Sequence, residues 1–289
     1  MAPLIVITGP TASGKSGLAL ELAETYGGEI ICADSRTIYK GMDIGTAKPS
    51  AEDRARVPHH LLDIVDPGQR FTVHDFQQLA QRTIVEIRTR GNIPFLVGGT
   101  GLYIDSVVLG YDFPEDNIGL RQSLSGKSVE DLQLMIKNQR LPMPQNNQNK
   151  RHLVQAITAE GRPAKAQTEP DDNTRIVAIT TEKAVLNERI TTRVHDMFAA
   201  GVLDEARRLG DMYGWESEAM TSNIYPILRR VIEGDISQEE AVELIVIRDR
   251  QLAKRQITWI KRHSFVQWKP LDEARIYLEN ILSQQNVLR

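Results

Sequence analysis

The stretch LIVITGPTASGKS, residues 4–16, decides the fold of this 289-residue chain. Leu4–Thr8 is an apolar run of strand length, and it leads directly into GPTASGKS, which satisfies the pattern G-x-x-x-x-G-K-[ST] in full. Gly17–Thr25 then carries apolar residues at helical spacing. A strand, a glycine-rich loop and a helix in this order predict a phosphate-binding loop at the edge of an α/β sheet.

The composition of this loop indicates how it would hold a phosphate. Glycines allow backbone N–H groups to turn toward an anion, the following helix adds the positive end of its dipole, and Lys15 adds a full charge. Ser16 can ligate Mg²⁺. Loops of this type usually hold ATP, but the pattern predicts a polyphosphate without specifying which one. The loop consists of Gly9, Pro10, Thr11, Ala12, Ser13, Gly14, Lys15 and Ser16.

Further strands and helices alternate along the chain. Glu29–Ala33, Ile93–Val97 and Arg175–Thr180 are apolar runs of strand length, and Val73–Arg90 has apolar residues at helical spacing. Alternation of this kind is typical of βαβ units and a parallel sheet. We therefore predict an α/β fold, with a P-loop NTPase-like parallel sheet flanked by helices.

A change of composition interrupts this alternation between residues 111 and 173. Residues 128–137 predict one short helix, and the stretch 138–152, rich in Asn, Gln and Pro, is loop-like. We interpret 111–173 as a mainly helical insertion into a single core formed by 1–110 and 174–289. The rest of the core is predicted to be helical and to end in SFVQWKP, residues 264–270, as a short strand or a tail.

Two polar residues follow predicted strands at the edge where ligands bind in parallel sheets. Asp34 ends the second strand, where a carboxylate could hold Mg²⁺, act as a general base, or only cap the turn. Thr100 lies within a second glycine turn, VGGTGLY, at a predicted helix N-terminus, where its hydroxyl could donate to a phosphate oxygen. A tight strand–helix turn would need the same glycines.

Composition limits the classes of protein to consider. The chain has one cysteine, Cys32, which excludes an internal disulfide, and no apolar run approaches the roughly 20 residues that span a bilayer. We expect a cytoplasmic protein without membrane association. The net charge is −3, so nucleic-acid binding would need a local basic patch.

Such a patch is found near the C-terminus. Residues 201–247 carry a net charge of −6, whereas residues 248–269 carry a net charge of +6. On a helix, Arg248, Arg255 and Arg262 form one stripe, and a second basic stripe lies roughly opposite. One stripe could face a phosphate site and the other a nucleic-acid backbone, although a solvated charged helix is an equal alternative.

The motifs GPTASGKS, ICADSRTIYKGMDIGTAKP, LVGGTGLYI and RQLAKRQITW occur in order over nearly the whole chain. Together they strongly resemble the bacterial tRNA dimethylallyltransferases, also called tRNA isopentenyltransferases, of the IPP transferase family. The resemblance implies transfer of the dimethylallyl group from dimethylallyl diphosphate to N6 of the adenine immediately 3′ of the anticodon, tRNA position 37. The products would be N6-isopentenyladenosine and pyrophosphate.

The resemblance also implies roles for individual residues. Asp34 would take the N6 proton, Thr100 would orient the leaving pyrophosphate, and the loop Gly9–Ser16 would bind the diphosphate with Mg²⁺ at Ser16. The anticodon stem-loop of tRNA is the expected partner of a monomer. The residues implied to contact tRNA are Asp34, Ser35, Arg36, Thr37, Thr100, Arg121, Arg151 and Arg255.

Departures from the family pattern lie in the part implied to face tRNA. Thr37 replaces the usual Gln or Met, His152 and Gln155 replace basic residues, and IYPI at 224–227 replaces a GYKE-like stretch. Three alternatives stay open. They are an adenylate dimethylallyltransferase acting on free AMP, ADP or ATP, a small-molecule P-loop kinase, and a non-catalytic RNA-binding remnant.

Overall fold

A computed structural model describes residues 1–114, 117–221 and 224–286. The chain forms two compact units, one from Met1–Val108 and Glu169–Arg289 and the other from Leu109–Thr168. The described helices in chain order are α1 Lys15–Tyr26, α2 Ala51–Arg56, α3 Val73–Thr89, α4 Gly101–Val108, α5 Ile118–Leu124, α6 Val129–Asn138, α7 Lys150–Thr158, α8 Lys183–Ala199, α9 Val202–Tyr213, α10 Tyr225–Ile232, α11 Gln238–Ile260 and α12 Leu271–Asn286.

The larger unit contains a six-stranded sheet in which every pair of neighbours is parallel. The strand order is β3-β2-β4-β1-β5-β6. The strands are β1 Leu4–Thr8, β2 Gly28–Cys32, β3 His59–His60, β4 Ile93–Gly98, β5 Thr174–Thr180 and β6 Gln267–Pro270. The predicted parallel sheet flanked by helices is confirmed.

Burial on both faces explains why the central strands are continuous apolar runs. All residues of β1, β2 and β4 are buried. One face packs against α1 and α12, where Leu18 and Leu22 of α1 join Leu278 and Leu282 of α12 in one core cluster. The other side holds α3 and α4, whose Phe76 and Tyr103 rings stack at 4.1 Å.

A second core cluster joins helices α8–α11 to the segment that follows β2. Ile38 and Met42 from this segment are fully buried against apolar side chains of the helices, including Leu209, Tyr225 and Leu228. The C-terminal helices therefore fix the position of a segment that begins at the carboxyl end of β2.

The C-terminal part of the chain differs from the sequence prediction in one respect. Gln267–Pro270 within SFVQWKP forms β6 at the sheet edge, in agreement with the short strand that was one alternative, but the folded chain does not end there, because α12 follows at once. α12 was not predicted. It is an integral part of the core, since Ala274, Leu278 and Leu282 are completely buried.

The smaller unit, Leu109–Thr168, contains α5, α6 and α7 around its own apolar cluster. The cluster includes Leu124, Leu132, Ile136, Leu153 and Ile157. α6 begins at a capping box formed by Ser128 and Asp131. The loop-like stretch 138–152 ends within α7, whose apolar face starts only at Leu153, so the polar composition before it gave no helix signal.

Candidate active site

A cavity of about 910 Å³ lies at the carboxyl ends of β1, β2 and β4. This is the edge at which parallel sheets bind ligands, and the volume is within the usual range for small-molecule sites. Its walls come from the β1–α1 loop, from residues 34–37, 46, 47 and 49 after β2, from residues 97–102, and from α8 and α11. The predicted phosphate loop, Asp34 and Thr100 therefore border one space.

The β1–α1 loop turns through left-handed conformations at Gly9, Ala12 and Gly14, with φ values of 144°, 61° and 90°. Glycine is needed at position 9 for a further reason, since an added Cβ would lie 3.1 Å from the Ser13 Oγ and 3.2 Å from the Ile179 backbone. Successive turns of this kind bring backbone N–H groups together into an anion-binding concavity.

Lys15 begins α1, and its Nζ donates to the Pro10 carbonyl oxygen at 3.2 Å, which holds the side chain over the loop. Loss of contact with water lowers the pKa of Lys15 to about 8, while Asp34 acts in the opposite direction and Arg193 lowers the pKa further. A bound anion would stabilise the charged ammonium. The site is thus built for a negatively charged ligand.

Arg193 of α8 is a second cation at the loop, and sequence analysis missed it. It borders the cavity, and one guanidinium nitrogen donates to the Thr11 hydroxyl. Its buried Nε has no hydrogen-bond partner within the described part of the chain. Asp249 of α11 lies close enough for the Arg193 charge to lower its pKa, although burial outweighs this and raises the pKa overall.

Asp34 lies directly after β2 and borders the cavity together with Lys15. Its Oδ1 accepts a hydrogen bond from the Arg36 backbone N–H at 2.8 Å. The carboxylate therefore does cap the turn, as one sequence interpretation had it, and the cap fixes the side chain at the cavity wall. Capping and a chemical role are compatible here.

Thr100 is tied to the same turn. Its hydroxyl oxygen accepts from the Ser35 backbone N–H at 3.1 Å, and its own N–H donates to the Ala33 carbonyl oxygen at 3.2 Å. The strand ends that carry Asp34 and Thr100 are thus joined directly by hydrogen bonds. The Thr100 hydroxyl in turn donates to the Ser35 Oγ at 3.5 Å, a long hydrogen bond that a closer ligand oxygen could replace.

The glycines around Thr100 are required by close packing. An added Cβ would lie 2.1 Å from the Ala33 carbonyl oxygen at Gly98, 2.3 Å from the Gln256 side chain at Gly99, and 2.1 Å from the Trp259 ring at Gly101. Two of these three neighbours belong to α11. The second glycine turn is therefore also the surface on which α11 docks.

Helix α11 forms the wall opposite the strand ends. The Gln256 Oε1 accepts from the Thr11 backbone N–H at 2.8 Å, so this buried side chain joins the phosphate loop to the second glycine turn. Arg248 and Arg255, from one predicted basic stripe, border the cavity. The Trp259 Nε1 donates to Asp105 at 2.7 Å, which anchors α11 to α4.

Two buried ionic side chains hold the segment 34–49 in place, and sequence analysis predicted neither. Glu205 of α9 accepts from the backbone N–H groups of Asp43, Ile44 and Gly45 at 2.8, 2.7 and 2.9 Å. It also accepts from the Tyr225 hydroxyl at 2.9 Å.

Lys48 holds the other side of this segment. Its Nζ donates to the Tyr39 carbonyl oxygen at 2.7 Å and to the Asp43 and Asp63 carboxylates at 2.8 and 2.5 Å. The Lys48 side chain is 1% exposed. Since Thr46 and Ala47 lie between the two anchors and border the cavity, Glu205 and Lys48 fix part of its wall.

The residues that the resemblance implies for tRNA contact fall into two groups. Ser35, Arg36, Thr37 and Arg255 border the cavity with Asp34 and Thr100. Arg121 and Arg151 belong to the smaller unit, where Arg121 donates to Gln155 at 2.8 Å and to Thr158 at 3.1 Å. Arg151 is exposed in the first turn of α7.

The family model described as IPP transferase matches residues 37–263. A tRNA dimethylallyltransferase of Carboxydothermus hydrogenoformans is 38% identical over 96% of this chain and 94% of that protein. The chain belongs to the IPP transferase family. A second relative of the same name, from Geobacter metallireducens, is 42% identical over 92% of this chain and 91% of its own.

A solved structure supports the same assignment within the IPP transferase family. The full-length tRNA isopentenylpyrophosphate transferase from Bacillus halodurans matches 100% of this chain and 99% of its own, with 33% identity and a TM-score of 0.74. The predicted family membership and P-loop NTPase-like fold are confirmed.

The oxygen groups at the loop suit a hard cation such as Mg²⁺. The Ser16 hydroxyl and the Asp34 carboxylate both border the cavity, and oxygen ligands are those that Mg²⁺ prefers. Within residues 1–114, 117–221 and 224–286, no cluster of three or more His, Cys, Asp or Glu side chains could hold a metal. Ser16 together with substrate phosphate oxygens is the arrangement that fits, because Mg²⁺ is usually bound with substrate phosphates and water.

Among the described helices, none combines the length and the apolar character that crossing a bilayer requires.

Proposed function

We propose that this member of the IPP transferase family transfers the dimethylallyl group from dimethylallyl diphosphate to N6 of the adenine at tRNA position 37. The observation that carries the proposal is the single cavity bordered by the phosphate loop, Asp34 and Thr100. A donor with its diphosphate on the loop and an adenine beside Asp34 would meet within it. The cytoplasm, where tRNA is available, is the expected site of the reaction.

The loop and its cations would promote departure of the leaving group. As the bond between the allylic carbon and the diphosphate oxygen breaks, negative charge grows on the pyrophosphate. Lys15, Arg193 and the backbone N–H groups of Gly14, Lys15 and Ser16 would stabilise that charge. Mg²⁺, when bound through Ser16, would supply further neutralisation of the diphosphate. Thr100 would donate a hydrogen bond that orients the pyrophosphate.

Asp34 would complete the transfer on the acceptor side. The exocyclic amine of adenine is a weak nucleophile, and a carboxylate within hydrogen-bond reach helps it to attack. The new bond joins N6 to the allylic carbon, the N6 proton passes to Asp34 and then to solvent, and pyrophosphate leaves. The Arg36 N–H keeps the carboxylate oriented during this step.

The choice of tRNA as acceptor is supported by the names of the relatives and by the basic side chains at the cavity. Arg36, Arg248 and Arg255 could meet the phosphates that flank a flipped adenine. Free adenine nucleotides would need none of the basic surface on α11. We propose Arg121 and Arg151 of the smaller unit as further tRNA contacts.

A transfer assay tests the proposal against its alternatives. Purified protein with Mg²⁺ and labelled dimethylallyl diphosphate is offered an anticodon stem-loop in one reaction and AMP in another. Label in the stem-loop is the expected result. Label only in AMP would identify an adenylate dimethylallyltransferase, ATP hydrolysis without transfer would favour a kinase, and RNA binding without any turnover would indicate a non-catalytic remnant.

A conservative variant tests the role of Asp34. Asp34→Asn retains an oxygen for the Arg36 N–H but cannot accept a proton, so we expect kcat to fall by about 10²–10⁴-fold. Diphosphate affinity should change by less than about twofold, because a base acts mainly in the transition state. Asp211→Asn, on the exposed surface of α9, is the matched control. Equal losses of turnover and diphosphate affinity in Asp34→Asn would assign Asp34 to Mg²⁺ binding instead.

A further inference from the structure

A buried carboxylate on α4 holds the C-terminal end of α11 through two hydrogen bonds to one oxygen. The Asp105 Oδ2 accepts from the Trp259 Nε1 at 2.7 Å and from the His263 Nε2 at 3.0 Å. Asp105 is 6% exposed. Among the described residues, those that border the cavity include Trp259 but not Asp105. Asp105 therefore reaches the cavity through Trp259.

The Trp259 ring also lies against the second glycine turn. An added Cβ at Gly101 would be 2.1 Å from this ring, so the indole packs directly on the backbone that follows Thr100. The Arg262 guanidinium lies over the ring, 4.7 Å from its centroid. The indole is thus held by the hydrogen bond from its N–H to Asp105, by the cation on its face and by the contact with Gly101. In a closely packed site, the position of the turn depends on the position of this ring.

Packing alone does not require a carboxylate at position 105. Burial raises the pKa of Asp105, whereas His263, Trp259 and Arg262 act in the opposite direction. A set of apolar side chains of the same volume would avoid the cost of removing a charge from water, and such a replacement is often equally stable. Apolar side chains do not fix the rotation of an indole, however, whereas a hydrogen bond to its N–H does. The carboxylate therefore gives the Trp259 ring a fixed direction.

We propose that Asp105 is a positioning residue for the transfer, and that it acts through Trp259 on the turn that carries Thr100. This inference rests on the proposed function, in which the Thr100 hydroxyl orients the pyrophosphate. A shift of about 1 Å in such a group can slow a reaction by about 100-fold. Thr100 is held to the turn after β2 by the Ser35 N–H, and Asp105 adds a second restraint from α11.

Rates of transfer to the stem-loop separate this role from a general stabilisation of the fold. They are measured in single turnover with saturating dimethylallyl diphosphate and Mg²⁺, and calorimetric titration with pyrophosphate gives the fraction of folded sites in each variant. Asp105→Leu removes the acceptor, and we expect its rate per folded site to fall by about 10–100-fold. In Asp105→Asn the amide oxygen can still accept both hydrogen bonds, so the rate should stay within about threefold of the wild type.

His263→Phe is the matched control, because it also removes one hydrogen bond to the Asp105 Oδ2 but leaves the bond from Trp259 in place. The new ring can keep the stacking contact with Phe265, whose centroid lies 5.0 Å from that of His263. The transfer rate should stay within about threefold of the wild type. If His263→Phe is as slow as Asp105→Leu, Asp105 only fastens the end of α11, and the proposal is overturned.

A double-mutant cycle with Thr100→Val tests the route of this effect. If Asp105 acts through Thr100, adding Asp105→Leu to Thr100→Val should slow the transfer by less than about threefold, whereas independent losses would multiply and overturn the proposal. If Asp105→Leu does not fold, Trp259→Phe takes its place in the cycle, since it keeps a ring against Gly101 but lacks the N–H that Asp105 accepts. Equal rates in Asp105→Leu and the wild type would contradict this inference alone, whereas a wild type without any transfer would contradict the proposed function.

Discussion

The hydrogen bonds made by Glu205 allow the most direct test of how the cavity wall is held. This carboxylate is 6% exposed and accepts from three consecutive backbone N–H groups and from the Tyr225 hydroxyl. Burial and the nearby Glu205 charge raise the pKa of Tyr225, so its hydroxyl stays protonated and donates. The perturbation is Glu205→Gln, which keeps the size of the side chain and removes the charge.

The expected cost follows from counting donors and acceptors. A glutamine oxygen can accept about two of the four hydrogen bonds, and its NH₂ group places further donors among the backbone N–H groups. Each hydrogen bond to a charged group contributes about 1.5–3 kcal/mol, so losing two costs about 3–6 kcal/mol. If residues 43–45 move toward water, hydrogen bonds to water would recover part of this lost free energy. We expect about 3 kcal/mol in the free energy of unfolding, or roughly 6–10 °C in Tm.

Urea unfolding of Glu205→Gln and of Tyr225→Phe provides the measurement. Tyr225→Phe removes one donor and leaves the three N–H groups satisfied, so it should cost about 1–2 kcal/mol. Because Thr46 and Ala47 border the cavity, Glu205→Gln should also lower the transfer rate at unchanged pyrophosphate affinity. If the two variants agree within about 0.5 kcal/mol, the reasoning is refuted, since the three backbone hydrogen bonds would then contribute nothing measurable.

Three further predictions concern ionisation and close packing. Lys15 has a pKa of about 8, so its ammonium group is charged below pH 8 in the free protein. The affinity for dimethylallyl diphosphate, measured by calorimetry, should therefore fall by up to about tenfold per pH unit above pH 8. Lys15→Arg should abolish this pH dependence, and a pH-independent affinity in the wild type would contradict the prediction. Glu29 accepts from Arg90 and Asn92, and these hydrogen bonds hold its pKa at about 2, below its ordinary value of 4.5. Glu29 therefore adds about 2–3 kcal/mol to the free energy of unfolding above pH 4.5, and this stabilisation is lost as the pH falls toward 2. In urea unfolding, the difference in stability between the wild type and Glu29→Gln should shrink over that pH interval. A constant difference would count against the prediction. Gly98→Ala places a Cβ 2.1 Å from the Ala33 carbonyl oxygen. The Tm of this variant should therefore drop by several degrees more than the Tm of Gly126→Ala, in which the added Cβ meets no other atom. Equal Tm values would show that the strand ends can separate without cost.

The central sheet could be predicted because its strands are buried on both faces. Continuous apolar runs such as Leu4–Thr8 and Ile93–Val97 are a local signal, and each ends in a loop with its own composition. β3 has only two residues, too few for any pattern. α12, in contrast to β3, could have been predicted from the sequence. Its apolar residues repeat at helical spacing, at Leu271, Ala274, Leu278 and Leu282.

The candidate site was predictable where its residues end neighbouring strands. The loop after β1, Asp34 after β2 and Thr100 after β4 border one cavity because β2, β4 and β1 are adjacent in the sheet. Parallel pairing places all three carboxyl ends at the same edge. The chemical roles of Asp34 and Thr100 remain predictions, but their proximity follows from strand order alone.

The residues that sequence analysis missed act on partners far away along the chain. Gln256 meets the Thr11 N–H across 245 residues, Arg193 meets the Thr11 hydroxyl across 182, and Glu205 meets the Asp43 N–H across 162. No local period or motif encodes such pairs. Gly99 shows the consequence. A strand–helix turn alone would explain a glycine there, yet the atom that an added Cβ would strike belongs to Gln256. The phosphate-loop motif is therefore complete in the sequence, whereas part of the cavity wall around it comes from α8 and α11, which carry no recognisable phosphate-binding motif.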